Sequence, residues 1–321
     1  MGDNPLIAEA LRQIGDDTPL AERSVVGGGS ISQALRLRTG RGEYLLKIGG
    51  RGLPGFFAAE ARGLTLLAAA GAVRVPAVLA YRDARTENQE SRTSADESGS
   101  RFSVLGPEGF ILLEWLAPPP HADSARAGEL LGTELAAMHH VTALGQAQAA
   151  QPYGLDHDNY IGSTPQPNGP MASWLAFFRE RRLRFQFELA QRNGHMRGER
   201  ARRMERLLGR LGEWIDDAVA QPALLHGDLW GGNFIVGPGG APVLIDPAAY
   251  YGDREADLAM TRLFGGFPPG FYRAYEAAWP LPDGWHERVG LYNLYHLLNH
   301  LNLFGASYGA EVDATLARYA R

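Results

Sequence analysis

The segment Leu224-Leu225-His226-Gly227-Asp228-Leu229-Trp230-Gly231-Gly232-Asn233-Phe234 holds the residues best suited to do chemistry. An apolar pair delivers the chain to a polar loop with an Asp, and an Asn follows five positions later. A second apolar run, Val243-Leu244-Ile245, then ends on Asp246. A kinase-type phosphotransferase sets out its groups in this order. Asp228 accepts the proton of a substrate hydroxyl, the Asn233 amide oxygen takes Mg²⁺, and Asp246 bridges the metal to the triphosphate of ATP. His-Gly-Asp alone occurs by chance in many sequences. Two flanking apolar runs and a third ligand at hairpin distance make the set far more specific.

Such chemistry needs a lysine on an upstream strand for the α- and β-phosphates and a Glu on the next helix to orient it. Of 31 Lys and Arg residues one is a lysine, Lys47, in the strand-like run Glu43-Tyr44-Leu45-Leu46-Lys47-Ile48. A composition that puts Arg nearly everywhere else would keep Lys where a compact point charge must fit among phosphate oxygens and a carboxylate, because guanidinium is larger and fixed in shape; a surface lysine left by drift is the plain alternative. Glu60 is the candidate partner. It lies beside the apolar face made by Phe57, Leu64 and Leu67 at helical spacing. Residue 64, four places on, is Leu, so an i,i+4 surface ion pair does not account for Glu60.

The elements that must position these groups read as an α+β chain of two lobes. Val25 to Leu37 is strand, glycine turn, strand, with Gly28, Gly29 and Ser30 placed to bring backbone N–H groups and a hydroxyl to phosphate. No Gly-x-Gly-x-x-Gly is present, since Ser32 takes the last position, and no Walker lysine follows. A plain hairpin turn would use the same glycines. A buried strand, Phe110 to Leu116, stops at Ala117-Pro118-Pro119-Pro120. This places an N-terminal nucleotide-binding lobe at 1–116 and a catalytic and substrate lobe at 117–321, with Glu114, Trp115 and Leu116 as the hinge that meets adenine. Residues 82–101 are too polar to order themselves and read as a mobile insertion. The second lobe is mostly helical, with apolar three-to-four spacing over Ala122–His140, Ser173–Arg192, Glu199–Ala220 and Gly290–Phe304.

On these residues the chain resembles the fructosamine (ketosamine) 3-kinase family. The resemblance rests on His226 to Asn233, on Asp246 to Met260 with Tyr250-Tyr251-Gly252-Asp253, on Asn159 to Gln166, and on Leu291 to His300. It runs from about Ser24 to Gly309. Trp230 and Tyr250 to Asp253 are its specific part, since aminoglycoside and choline kinases share His-Gly-Asp, the metal Asn and a later Asp-Leu-Ala but usually lack those residues. The resemblance implies a protein-kinase-like bilobal fold, an antiparallel sheet with a helix in the first lobe, and ATP with Mg²⁺ as cofactors. It further implies phosphorylation of the sugar 3-hydroxyl of glycated amines, after which phosphate leaves through an enolised intermediate and the amine is freed. It implies a supporting role for Asp257, holding the catalytic-loop backbone, where N-capping is the plain alternative. It also implies an acceptor site bordered by Trp174, Phe177 and Phe178, where a packed helix with a solvated face of Arg179, Arg181 and Arg182 is the plain alternative. Trp230, two residues past the base, is the candidate substrate contact, against the alternative of packing under the loop.

Net charge of −5 with no basic tract argues against nucleic acid as partner. No apolar run reaches membrane length, no signal peptide is expected, and Leu6 stands where a myristoylation motif needs Ser or Thr. The absence of cysteine removes disulfide and thiol chemistry and is compatible with a cytoplasmic enzyme; the resemblance implies a free or protein-bound ketosamine as its substrate. The oligomeric state is not legible. Gly305-Ala306-Ser307-Tyr308-Gly309 has a hydrolase-elbow pattern but follows a helical run. His296 and His300, four apart on a helix, lack a third metal ligand, and His139-His140 is read as a helix end favoured by the dipole. Two other functions stay open: a kinase of another small hydroxylated amine, aminoglycoside or choline-like, and a silent nucleotide-binding module, which would have no use for Asp228.

Overall fold

The structure is a computed structural model that describes residues 4–27, 32–84 and 108–321. Gly28, Gly29 and Ser30 lie outside the described residues, as does the polar stretch 85–107. The chain divides into two compact units, residues 1–65 with 76–117, and residues 66–75 with 118–321.

The first unit is a five-stranded antiparallel sheet of β1 (Glu22–Val26), β2 (Ser32–Arg38), β3 (Glu43–Gly49), β4 (Val78–Arg82) and β5 (Gly109–Glu114), in the order β1-β2-β3-β5-β4. Side chains alternate across a strand. One face therefore gathers Leu35, Leu37, Leu46, Ile48, Phe110 and Leu112 against Leu6, Ile7, Ala10 and Leu11 of helix α1 (Pro5–Gln13). The start of α1 is fixed by Pro5 in its first turn and by the Asn4 side chain, which accepts from the Leu6 amide. Lys47, between Leu46 and Ile48, points to the opposite face. There α2 (Phe56–Ala69) begins, its first turn held by Asp83 Oδ1, which accepts from the amides of Phe57 and Ala58 at 2.8 and 3.1 Å. This corrects the expected start of the insertion. Arg82 belongs to β4, and Asp83 caps α2, so residues 82–84 are tied to the sheet and helix.

The second unit is built around helix α3 (Ser124–Gln146), the segment Trp174–Arg192, α6 (Gly198–Arg210), α7 (Glu255–Leu263), α8 (Pro269–Ala278), α9 (Trp285–Phe304) and α10 (Gly309–Tyr319). The expected helix Ala122–His140 is longer, capped by Asp123 and continuing to Gln146, so His139 and His140 are interior to it. Within Trp174–Arg192 a π-helical stretch, Phe178–Arg184, separates α4 (Trp174–Phe177) from α5 (Phe185–Arg192). The run expected to continue to Ala220 ends as a short 3₁₀ turn at Leu211–Glu213. Beyond it Asp216 turns the chain by accepting the Ala218 amide, a local bond that competes with helix. Sequence periodicity did not reveal α1, α8 or α10. The core of this unit holds Trp174, Phe177, Phe178, Leu225, Tyr250, Tyr292 and Leu298.

Three short antiparallel ribbons lie in this unit. β6 (Asn159–Ile161) pairs with β7 (Thr164–Gln166), β8 (Pro222–Leu225) with β11 (Tyr250–Asp253), and β9 (Phe234–Val236) with β10 (Pro242–Leu244). β8 leads into the loop of Asp228, and β9–β10 is the hairpin between Asn233 and Asp246. Ser307 sits in a 3₁₀ turn after α9, so Gly305 to Gly309 is not a nucleophile elbow. Among the described residues no helix is long and apolar enough to cross a membrane.

Candidate active site

The loop after β8 is shaped by carboxylate-to-backbone bonds. His226 N–H donates to Asp257 Oδ2 at 2.7 Å and Gly227 N–H to Asp257 Oδ1 at 2.9 Å. Asp257 lies in the first turn of α7 and is 1% exposed. It thus holds the loop backbone, and it is not the N-cap of its own helix, a position taken by Arg254. His139 Nε2 adds a third donor to Asp257 at 3.3 Å, while Tyr275 O–H donates to His139 Nδ1 at 2.8 Å. Burial lowers the His139 pKa against the pull of Asp257, so His139 is a neutral link rather than the helix-end cation expected. Burial alone would raise Asp257; its hydrogen bonds outweigh this and hold the carboxyl below the ordinary range.

Gly227 has φ +79°, and a Cβ there would stand 2.1 Å from the carbonyl oxygen of Ala248. Only glycine meets both demands. Ala248 N–H donates to His226 O at 2.9 Å, and His226 Nε2 donates to Ile245 O at 2.9 Å. The strand ends that carry Asp228 and Asp246 are therefore stitched together through His226. Asp246 has φ 56°, the one non-glycine residue in the left-handed region among the described residues. Such a backbone costs about 1–3 kcal/mol and persists only where its surroundings hold it.

Asn233 closes the loop. Its Nδ2 donates to Asp228 O at 2.8 Å and to Asp228 Oδ2 at 3.2 Å. With the amide nitrogen so committed, Asn233 Oδ1 is the atom left to ligate. It and the Asp246 carboxylate are hard oxygen donors of the type that could hold Mg²⁺. Among the described residues no three His, Cys, Asp or Glu form an all-protein metal cage. His296 is buried and its pKa is pushed down to about 3 by that burial, and His300 Nδ1 donates to His296 O, so neither histidine is arranged as a ligand.

Asp228 has its pKa pushed up to about 7, first by burial, then by the negative charge of Asp246, with the Asn233 hydrogen bond opposing. A carboxyl in that range is a better proton acceptor than an ordinary Asp. Trp230 is 41% exposed and does not pack under the loop. Its ring lies across Gly232, where a Cβ would approach it to 2.2 Å, and meets Phe264 edge-on at 6.4 Å. In the first unit Lys47 Nζ donates to Glu60 Oε1 at 2.7 Å, with both side chains largely buried. Glu114 N–H donates to Ala77 O, Glu114 Oε2 accepts from Ala77 N–H, and the Trp115 ring carries the Arg36 guanidinium at 5.1 Å. Sequence reasoning missed His139 and Tyr275, which touch the site only through Asp257.

The Lys–Glu pair on the sheet and helix of the first unit, and the Asp, Asn and Asp set on the strand-loop-hairpin of the second, are each of the kind expected in a kinase-type phosphotransferase. A sequence profile described as fructosamine kinase matches residues 4–321. The chain belongs to the fructosamine kinase family and is an ATP-dependent kinase. It is 37% identical over 302 residues to a probable ketoamine kinase of Lactiplantibacillus plantarum, covering 94% of this chain and 95% of that one. It is 35% identical to a chloroplastic protein-ribulosamine 3-kinase of Oryza sativa subsp. indica, covering 100% and 85%. A putative fructosamine-3-kinase of Thermobifida fusca YX-ER1 superposes with a TM-score of 0.79 at 30% identity over 99% of each chain. The aminoglycoside phosphotransferase APH(4)-Ia, solved with AMP-PNP and hygromycin B, shares the fold, with a TM-score of 0.60 at 16% identity over 97% of each chain. The α+β, protein-kinase-like bilobal class expected from sequence is thereby shown.

Two outcomes follow from the loop electrostatics. Asp257→Asn keeps one acceptor but turns an N–H₂ toward a backbone N–H, so a buried donor loses its partner at roughly 1–3 kcal/mol; thermal melting should fall and turnover with it, and an unchanged melt would remove Asp257 from its holding role. The second concerns pH. Because folding raises the Asp228 pKa from 3.8 to about 7, the folded state binds the proton more tightly than the unfolded chain. Its ionisation therefore costs stability fully above about pH 7 and not at all below about pH 4. Melted without metal or nucleotide, Asp228→Asn should exceed wild type at pH 8, by about 2–4 °C for each kcal/mol, and lose that advantage toward pH 4. An equal difference at both pH values would show that Asp228 is not strained by its charge.

Proposed function

We propose that this kinase transfers the γ-phosphoryl group of ATP to the sugar 3-hydroxyl of ketosamines, fructosamine or ribulosamine in type, and so starts their deglycation. The observation that carries the catalytic assignment is the Asp228 loop, in which Asn233 and Asp257 fix a half-buried carboxylate beside Asp246. The relatives' names support the substrate. Asp228 takes the hydroxyl proton as the oxygen attacks the γ-phosphorus; the new O–P bond forms as the β–γ bridge breaks, and ADP leaves. Asn233 and Asp246 would hold Mg²⁺, which when bound neutralises phosphate charge. Lys47, oriented by Glu60, takes the α- and β-phosphates, and Gly28, Gly29 and Ser30 add backbone and hydroxyl donors. The hinge Glu114, Trp115 and Leu116 would present backbone groups to adenine, the Glu114 amide itself being bonded to Ala77 O. The exposed face of Trp230 suits the C–H side of a sugar and a cationic amine alike. Once the product's C2 carbonyl enolises toward C1, the C3 phosphate is allylic to the enol and departs, and hydrolysis of the resulting imine frees the amine. We place the reaction in the cytoplasm, on the sequence reading above.

The test is incubation with Mg-ATP and a panel of fructosamines, ribulosamines, aminoglycosides and choline, with phosphorylated product measured. Ketosamines should be phosphorylated, and Asp228→Asn should lower turnover by at least about 10²-fold. Phosphorylation of aminoglycosides or choline with ketosamines untouched would overturn the substrate assignment. Lys47→Arg keeps the charge, yet the larger planar fork cannot hold Glu60 and phosphate oxygens in the same geometry, so kcat should fall while folding is retained. A fully active Lys47→Arg enzyme would remove Lys47 from the phosphate site.

A further inference from the structure

Two of the segments that carry the family resemblance, Asn159 to Gln166 and Leu291 to His300, supply none of the groups assigned above. The structure joins them in one buried polar network. Asn159 and Gln166 are directly paired across the β6–β7 ribbon. Gln166 Nε2 donates to Asn159 Oδ1 at 2.7 Å and to Ala248 O at 3.0 Å, and Asn159 Nδ2 donates to Ala249 O at 2.8 Å. Tyr295 O–H donates to Gln166 Oε1 at 2.6 Å. Asn168 Nδ2 donates to Asn159 Oδ1 at 2.8 Å, and Arg182 Nη2 donates to Asn168 Oδ1 at 2.7 Å. Asn159, Gln166, Asn168, Arg182 and Tyr295 are each at most 5% exposed. Asn159, Gln166 and Asn168 each have both the amide nitrogen and the amide oxygen committed, so turning any one over would set donor against donor.

The network ends on two adjacent carbonyls, those of Ala248 and Ala249. They belong to the short link between Asp246-Pro247 and β11. Ala248 is also the residue whose N–H holds His226 O and whose carbonyl oxygen occupies the space a Cβ on Gly227 would need. Fixing Ala248 therefore fixes the approach of the Asp246 strand end to the backbone that presents Asp228. Ala248 also stands two residues past the left-handed turn at Asp246, a conformation that persists only where its surroundings hold it. We infer that Gln166 and Asn159, locked in orientation by Tyr295 and Asn168, are positioning residues that set the register between the proton acceptor Asp228 and the metal carboxylate Asp246. The inference rests on the assignment of Asp228 and Asp246 given above. Phosphoryl transfer depends on such placement, where a displacement of about 1 Å can cost 10²-fold in rate.

The test compares Tyr295→Phe, Gln166→Met and the double variant with wild type, well below their melting temperatures. Three quantities are read: kcat at saturating ATP and ketosamine, KM for ATP, and amide hydrogen exchange at Ala248 and Gly227 without ligands. Gln166→Met should lower kcat on the order of 10²-fold and Tyr295→Phe on the order of 10-fold, with KM for ATP nearly unchanged. Exchange at Ala248 and Gly227 should quicken in both while the amides of α9 stay protected. Because Tyr295 acts through Gln166, Tyr295→Phe should add nothing in the Gln166→Met background. Tyr295→Phe removes one hydroxyl and answers the question if Gln166→Met does not fold. Unchanged exchange at Ala248 and Gly227, additive effects in the double variant, or faster exchange with unchanged kcat would each overturn the inference. Asp228→Asn measured alongside separates the two readings, since an active Asp228→Asn enzyme defeats the assignment of the base whatever the exchange rates show.

Discussion

The catalytic loop depends on one carboxylate. Where β8 ends, two consecutive backbone N–H groups, those of His226 and Gly227, turn inward without a strand or helix to accept them. Buried donors of this kind must be satisfied, and neutral acceptors would leave the loop several ways to lie. Asp257 offers both oxygens in fixed geometry from the first turn of a helix whose N-terminal dipole favours the charge. His139 then holds the carboxylate from the side, and Tyr275 holds His139. The position of Asp228 is inherited from this chain of contacts, which reaches it from α7, α3 and α8.

Three aspartates near one another would repel if left alike, and the fold treats each differently. Asp257 has three donors and stays ionised. Asp228 has one side-chain donor and the charge of Asp246 against it, so its proton affinity rises toward neutrality. Asp246 is set apart through its backbone, in a conformation that only its surroundings maintain. One side-chain type is thus given three different electrostatic settings by its environment. A divalent cation held by Asn233 and Asp246 would relieve the repulsion on Asp228, which gives the unliganded site a reason to tolerate its strain.

Much of this was legible in sequence because the chemistry is local in the chain. His226 to Asn233 lies within a single loop, Asp246 is one hairpin away, and Lys47 and Glu60 sit on consecutive elements. His139 was misread because its partners, Asp257 and Tyr275, are 118 and 136 residues distant, so no spacing announces them. The π-helical stretch at Phe178–Arg184 is composed of ordinary helix formers and carries no local mark. Helices α8 and α10 are short and lean on neighbours for their apolar contacts, so their periodicity is weak evidence until the packing is known. Asn159 and Gln166 were recognisable as part of a pattern, yet their partners are carbonyls, which have no sequence signature at all.

The basic residues show the same logic from the opposite direction. Arg182 is wholly buried, its guanidinium lying 3.9 Å over the Tyr250 ring and 4.6 Å over that of Phe177 while donating to Pro167 O and Asn168 Oδ1. A planar, weakly hydrated cation with several donors fits between aromatic faces and carbonyl oxygens, where a lysine would bring a compact, strongly hydrated charge with no flat face. At residue 47 the demands reverse. There a single point charge must meet the Glu60 oxygen at 2.7 Å on a largely buried face of the sheet. The one lysine among 31 Lys and Arg residues thus stands in a largely buried pair, the setting in which a compact point charge and a planar guanidinium differ most.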